Sequence, residues 1–383
     1  MKSRIEKKKD IKAARDWVKQ LQQRGVSNSL WDDFSEQKLR EKYLNNPVKI
    51  EVISRDIFGG KIDVSAFLRQ PRQSNSQFIF QSHVDNISMR LNETLKTTSG
   101  QPFEPPIVCV LQGPSLSPIH QRAPSTEVEI ILIPVELMFL SNLVSRSVSM
   151  IVNPRPSKNK NIQFPPLAGI HLDKPKSARG IMWLENIIYF HILHGESYLV
   201  PLPPIGNRHE PLRGMILDSM ETFAIAHEYG HFVAGHASSS SDPPATFRDL
   251  PSSMVMEFEA DILGQAMTIG AGSQTKNPLA ILNIGGVIIL HVGEMIRQAR
   301  SILYYGHSAP VSETHPSLKD RIQNLKKGCT ERFCGPVSED ARSYQGDWDD
   351  FMIRIWTKMK PSFEEGFQLY GPIDLYESTE LVE

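Results

Sequence analysis

Cysteine is nearly absent: Cys109, Cys329 and Cys334 are the only three in 383 residues. An odd and sparse set cannot build the disulfide framework of a small secreted protein, so a reducing, cytoplasmic location is expected. Cys329 and Cys334 could be half of a zinc ribbon, but no second cysteine pair follows to complete four ligands. An excess of one charge is missing too. Lys and Arg total 42 against 43 Asp and Glu, a formal net charge of -1, which leaves no global field to draw in nucleic acid or anionic lipid. No nucleic-acid partner is expected. Long apolar runs are also lacking: "PLAILNIGGVIILHVGEMI" is broken by His291 and Glu294, and "VEIILIPVELMFLSNLV" by Pro134 and Glu136. Both fall short of the roughly 18 to 20 residues that a membrane span requires, so buried segments are expected and no span. The N-terminal "MKSRIEKKKDIKAARDWVKQLQQRG" carries Glu6 and Asp10 and no apolar centre, which suits a solvated amphipathic helix rather than a signal peptide.

What is present is a change of pattern along the chain. Residues 1–45 look helical, with "LWDDFSEQKLREKYL" as a second helix after a break near Gly25. Short β-branched and aromatic runs then follow, among them "VKIEVISRDIF", "KIDVSAFL", "QFIFQSHV", "PPIVCVLQG" and "EVEIILIPV", and they predict a β-rich domain over 46–152. A Pro- and Lys-rich stretch predicts a linker over 153–176, and helical periodicity dominates 177–383. The expected fold class is therefore α+β. A chain this long can bury a sufficient core without help, so a bound metal would serve function.

The stretch that carries chemistry is "ETFAIAHEYGHFVAGHAS". His227 and His231 are four residues apart and leave a helix on one face, one turn from each other, as two imidazoles holding one zinc ion require. Glu228 stands beside them as the candidate base for a water molecule. A third ligand is needed. On a continuing helix His236 would face away from His227, which suits a helix-terminal histidine in the field of the dipole better than a ligand. "VMEFEADILG" offers a better one: Glu257 and Asp261 share a helical face, whereas Glu259 points elsewhere. Glu257 is the candidate third ligand. Asp261, one turn on, can accept a hydrogen bond from the outer nitrogen of a ligating histidine. The neighbours Met254, Val255, Phe258, Ala260, Ile262 and Leu263 make this helix apolar, and a carboxylate buried among them needs a partner.

In order along the chain, "HEYGH", "EFEAD" and "THPSLKDRIQNL" resemble the zinc endopeptidase family of the CAAX prenyl proteases, the heat-shock membrane protease and their soluble relatives. The three pieces lie within residues 215–326, under a third of the chain. The resemblance implies a zincin-type metallopeptidase domain over 177–383 of the gluzincin kind, with His227, His231 and Glu257 as ligands of one zinc ion per chain and Glu228 as general base. It further implies His315 as a hydrogen-bond donor at the scissile carbonyl and Arg321 as the anchor of the local acidic network, through Asp261. The chain departs from the well-known relatives in lacking their membrane helices or export signals, and residues 1–170 match no family pattern. The expectation is a soluble zinc endopeptidase acting on a protein or peptide, with a regulatory or defence role by analogy. Two rivals stand beside it: a metal-bound regulatory or sensing protein on the same scaffold, and an interaction protein whose histidines are merely packed. Oligomeric state leaves no mark on the sequence.

Overall fold

In a computed structural model of the chain, the described residues are 4–27, 76–99, 103–111, 115–156, 162–163, 166–194, 197, 200, 202–236, 252–310, 316–331 and 336–372. They form an α+β fold that is mostly helical. The helices are α1 (Arg4–Ser27), α2 (Ser76–Ser99), α3 (Val135–Val152), α4 (Pro175–His194), α5 (Glu210–Val233), α6 (Ser252–Thr275), α7 (Pro278–Ile281), α8 (Ile284–Tyr305), α9 (Leu318–Glu331) and α10 (Pro336–Tyr370). The strands β1 (Ile107–Leu111), β2 (Ile119–Arg122) and β3 (Glu129–Pro134) make one sheet in the order β1-β3-β2. In it β1 runs parallel to β3, and β2 runs antiparallel. β4 (Arg155–Pro156) and β5 (Ile162–Gln163) pair as a short antiparallel ladder.

β3 is a continuous apolar run because both of its faces are covered. Ile130, Leu132 and Cys109 pack against Ala14 and Val18 of α1. Ile131, Ile133 and Val110 turn the other way, into a core shared with Val84, Ile87 and Leu91 of α2 and Ile225 and Tyr229 of α5. A larger core joins α3, α4, α5, α8 and α10 through Val148, Trp183, Ile216, Ile288 and Phe351. Because α5 belongs to both cores, it is held along most of its length, a rigid platform for whatever its C-terminal end presents.

Two expectations are corrected here. "QFIFQSHV" is not a strand, since residues 77–84 lie inside α2. Val84, Ile87 and Leu91 are fully buried at helical spacing, and the packing of that face overrides the strand preference of the aromatic and β-branched residues before it. Pro134 divides the second apolar run as expected, but into a strand and a helix that is apolar enough by itself to pass for a span. It is the N-cap of α3, with φ -65, and closes β3 as it opens the helix. Among the described residues α3 is the one helix long and apolar enough to cross a membrane by composition, with mean hydropathy 1.4, yet 83% of it is buried inside the molecule against its neighbours. The run from Pro278 is helical as expected, but it is divided into α7 and α8 at Asn283, whose φ is 51. The runs "VKIEVISRDIF", "KIDVSAFL" and "LWDDFSEQKLREKYL" lie outside the described residues.

Candidate metal centre

The site forms where α5 and α6 touch. α5 opens with Pro211 in its first turn, a position where the missing N–H costs nothing. It then runs through Met220, Phe223, Ala224 and Ile225, all buried, to His227. Two glycines set the approach of α6. A Cβ at Gly230 would fall 2.5 Å from the carbonyl oxygen of Ala260, and one at Gly264 would fall 2.9 Å from the Cα of His227. With no side chain at either contact, the backbones come close enough for Glu257 to reach across to both imidazoles.

His227 Nε2 lies 3.2 Å from His231 Nε2. Nε2 of His227 is 3.6 Å from Oε2 of Glu257, and Nε2 of His231 is 3.6 Å from Oε1. A tetrahedral zinc ion with bonds of about 2.05 Å needs donor separations of about 3.3 to 3.4 Å, and the 3.2 Å between the imidazoles and the 3.6 Å from each imidazole to its own oxygen of the carboxylate fall on either side of that value. Two imidazole nitrogens and a carboxylate oxygen are also the donor set that zinc accepts, with one coordination position left for a non-protein ligand. Among the described residues, these three form the group whose donor atoms all lie within 4.8 Å of one another. The residues present fit the ion.

Behind the triad lies a buried ion pair. Arg321 of α9 donates from Nε and Nη2 to the two oxygens of Asp261, at 2.8 and 2.6 Å. Its Nη1 also stands 3.5 Å from Glu257. α9 is started by Ser317, whose hydroxyl accepts from the N–H of Asp320 at 3.2 Å, a capping contact that fixes where Arg321 emerges. Asp261 is fully buried, and its Oδ1 lies 3.0 Å from His227 Nδ1, close but off the line of the ring N–H. Burial works hardest on these carboxyls and raises them. It is outweighed at Glu257 by the nearby imidazoles of His227 and His231, which hold it far below the usual carboxylate range, and at Asp261 by Arg321. For His227 burial favours the neutral ring, but Asp261 and Glu257 prevail and raise it to about 10. The cluster therefore draws positive charge to the point on which the three donors converge. Glu228 is buried, which pushes its carboxyl up.

The site residues expected from sequence are brought together, apart from His315, which lies outside the described residues. Two residues set aside in the sequence are also here. α5 does not continue past Val233: Gly235 adopts φ 71, and the N–H groups of Gly235 and His236 return to the carbonyls of Phe232 and His231. This is a Schellman turn. It swings His236 back so that its Nδ1 lies 2.7 Å from Nδ1 of His231, and its Nε2 lies 3.2 Å from Glu259. The helical-wheel argument that turned His236 away assumed a helix that Gly235 ends, and a glycine so placed was the available signal; Glu259, on the continuous α6, enters through its contact with the returned His236. His120 on β2 was also missed. Its ring meets Phe232 edge-on at 6.2 Å, and its Nε2 is 2.6 Å from Glu129. The chain matches no protein-family model, and no curated protein or solved structure is significantly similar to it.

Proposed function

We propose that the chain is a zinc-dependent endopeptidase, working in the cytoplasm on a protein or peptide substrate. The observation that carries this reading is the convergence of His227, His231 and Glu257, with the imidazole nitrogens 3.2 Å apart and each 3.6 Å from a different oxygen of the carboxylate, and with Glu228 buried next to His227 in the same helix turn. When bound there, zinc supplies Lewis acidity, polarising a carbonyl and lowering the pKa of a water molecule. Glu228 takes the proton of the attacking water and returns it to the leaving amine, a role suited to a carboxyl whose affinity for a proton is raised by burial. Asp261 and Arg321 hold the ring of His227 and the carboxylate of Glu257 in place. His315, by its resemblance to the family motif, donates to the developing oxyanion. Among the described residues β2 is an edge strand of the sheet, packed near α5. Such an edge offers main-chain donors and acceptors to an extended peptide, which favours a peptide over a small-molecule substrate.

The test is cleavage of an unfolded protein such as casein. Hydrolysis is expected to stop with a chelator, return with zinc, and be absent from Glu228→Gln while that variant keeps its metal. Undiminished cleavage by clean Glu228→Gln would remove Glu228 as the base. A zinc-loaded wild type that cleaves nothing would point to a sensing role instead.

A further inference from the structure

The two imidazoles of the triad are supported in different ways. The outer nitrogen of His227 faces a carboxylate, Asp261. The outer nitrogen of His231 faces another imidazole, and the carboxylate, Glu259, stands one ring further out. We propose that His236 is a positioning residue for His231, and that Glu259, through His236, selects the tautomer of His231 that can bind a metal. This rests on the metal-site reading given above.

The argument is one of proton placement. Nitrogens 2.7 Å apart must share one proton: two protons would clash, and two lone pairs would repel. A neutral His231 that offers its Nε2 lone pair to the triad must carry its proton on Nδ1, so it donates and His236 Nδ1 accepts. His236 then carries its own proton on Nε2, which faces Glu259 at 3.2 Å. An ionised carboxylate accepts and never donates, so Glu259 fixes this arrangement. The opposite one puts a proton on His231 Nε2, where it blocks the coordination site. The side chain of His236 is 9% exposed, so few water molecules can substitute for either partner. The turn at Gly235 supplies the register: residue five after His231 returns to it only because the helix stops there.

The test measures zinc affinity of the full chain by competition with a chromophoric chelator, together with the melting temperature of the metal-free protein. His236→Ala removes the acceptor and is expected to weaken zinc binding about 10- to 100-fold, the range seen when such outer contacts are lost. His236→Asn places an amide oxygen near the position of Nδ1 and is expected to restore affinity to within about threefold of wild type. A packing role would leave both variants equally impaired. Glu259→Gln, at a half-exposed position, is expected to weaken binding about threefold to tenfold with the metal-free melting temperature unchanged. Wild-type affinity in His236→Ala or in Glu259→Gln would overturn the proposal, as would His236→Asn no better than alanine. A wild type that binds no zinc would overturn the metal-site reading itself, a different result from zinc bound equally by all variants.

Discussion

Among the described residues, two clusters pair histidine with carboxylate and a cation, and both use α9. At one, Asp349 of α10 accepts from His291 of α8 at 2.9 Å and from Lys326 of α9 at 2.7 Å. One carboxylate meets one ammonium, and the set is closed. At the other, Glu257 and Asp261 face the single guanidinium of Arg321, and two imidazoles converge on the space that remains. The first cluster is balanced and ties three helices together. The second has an excess of negative charge and lone pairs directed at one point, which distinguishes a place to bind a cation from a place that is already satisfied.

The sharpest way to separate the clusters is catalytic. Glu228→Gln is expected to lower peptide hydrolysis about a thousandfold with zinc retained, while Asp349→Asn leaves turnover of folded protein within about twofold, measured by casein cleavage and metal analysis. Next comes stability. Arg321→Met strands the fully buried Asp261 and is expected to cost about 3 to 5 kcal/mol in denaturant unfolding. Lys326→Met, between partly exposed groups, is expected to cost about 1 kcal/mol or less. Equal losses would erase the distinction.

Metal linkage is the third contrast. Free zinc at about 100 times its dissociation constant should stabilise the wild type by about 2.7 kcal/mol. Calorimetry should find that gain absent in Glu257→Ala and intact in Asp349→Asn. The smallest effect is in acid. Burial raises the Asp349 carboxyl, but the hydrogen bonds of His291 and Lys326 outweigh it and hold it below its ordinary 3.8. A depressed carboxylate contributes stability above its unfolded pKa and loses it as the pH falls through the folded value. Stability should therefore decline below about pH 4, and less steeply in Asp349→Asn. Glu257 and Asp261 carry the same sign, so the variant flattens only part of that limb.

The legible parts of the site were those that depend on one helix at a time. His227 with His231, and Glu257 with Asp261, are each fixed by helical geometry, and the apolar setting of α6 marks its carboxylates as needing partners. The pairing of Asp261 with Arg321 joins residues 60 apart, and the resemblance to a protease family, rather than spacing, suggested it. His236 was misjudged because a helical wheel has no place for the reversal at Gly235, and Glu259 joins the site only through that returned His236. The same limit applies to the fold. β3 was legible as the strand-like run "EVEIILIPV", whereas the strand-like start of α2 yielded to Val84, Ile87 and Leu91, whose burial depends on neighbours that are distant in sequence.

The most direct test of the central claim is the metal content of wild type and Glu257→Ala, purified without a histidine tag or chelator and read by elemental mass spectrometry. The account predicts about one zinc per chain in the wild type and its loss in the variant, as three protein ligands require. A wild type without zinc, or a variant that keeps it, would contradict the assignment of His227, His231 and Glu257 as one metal site.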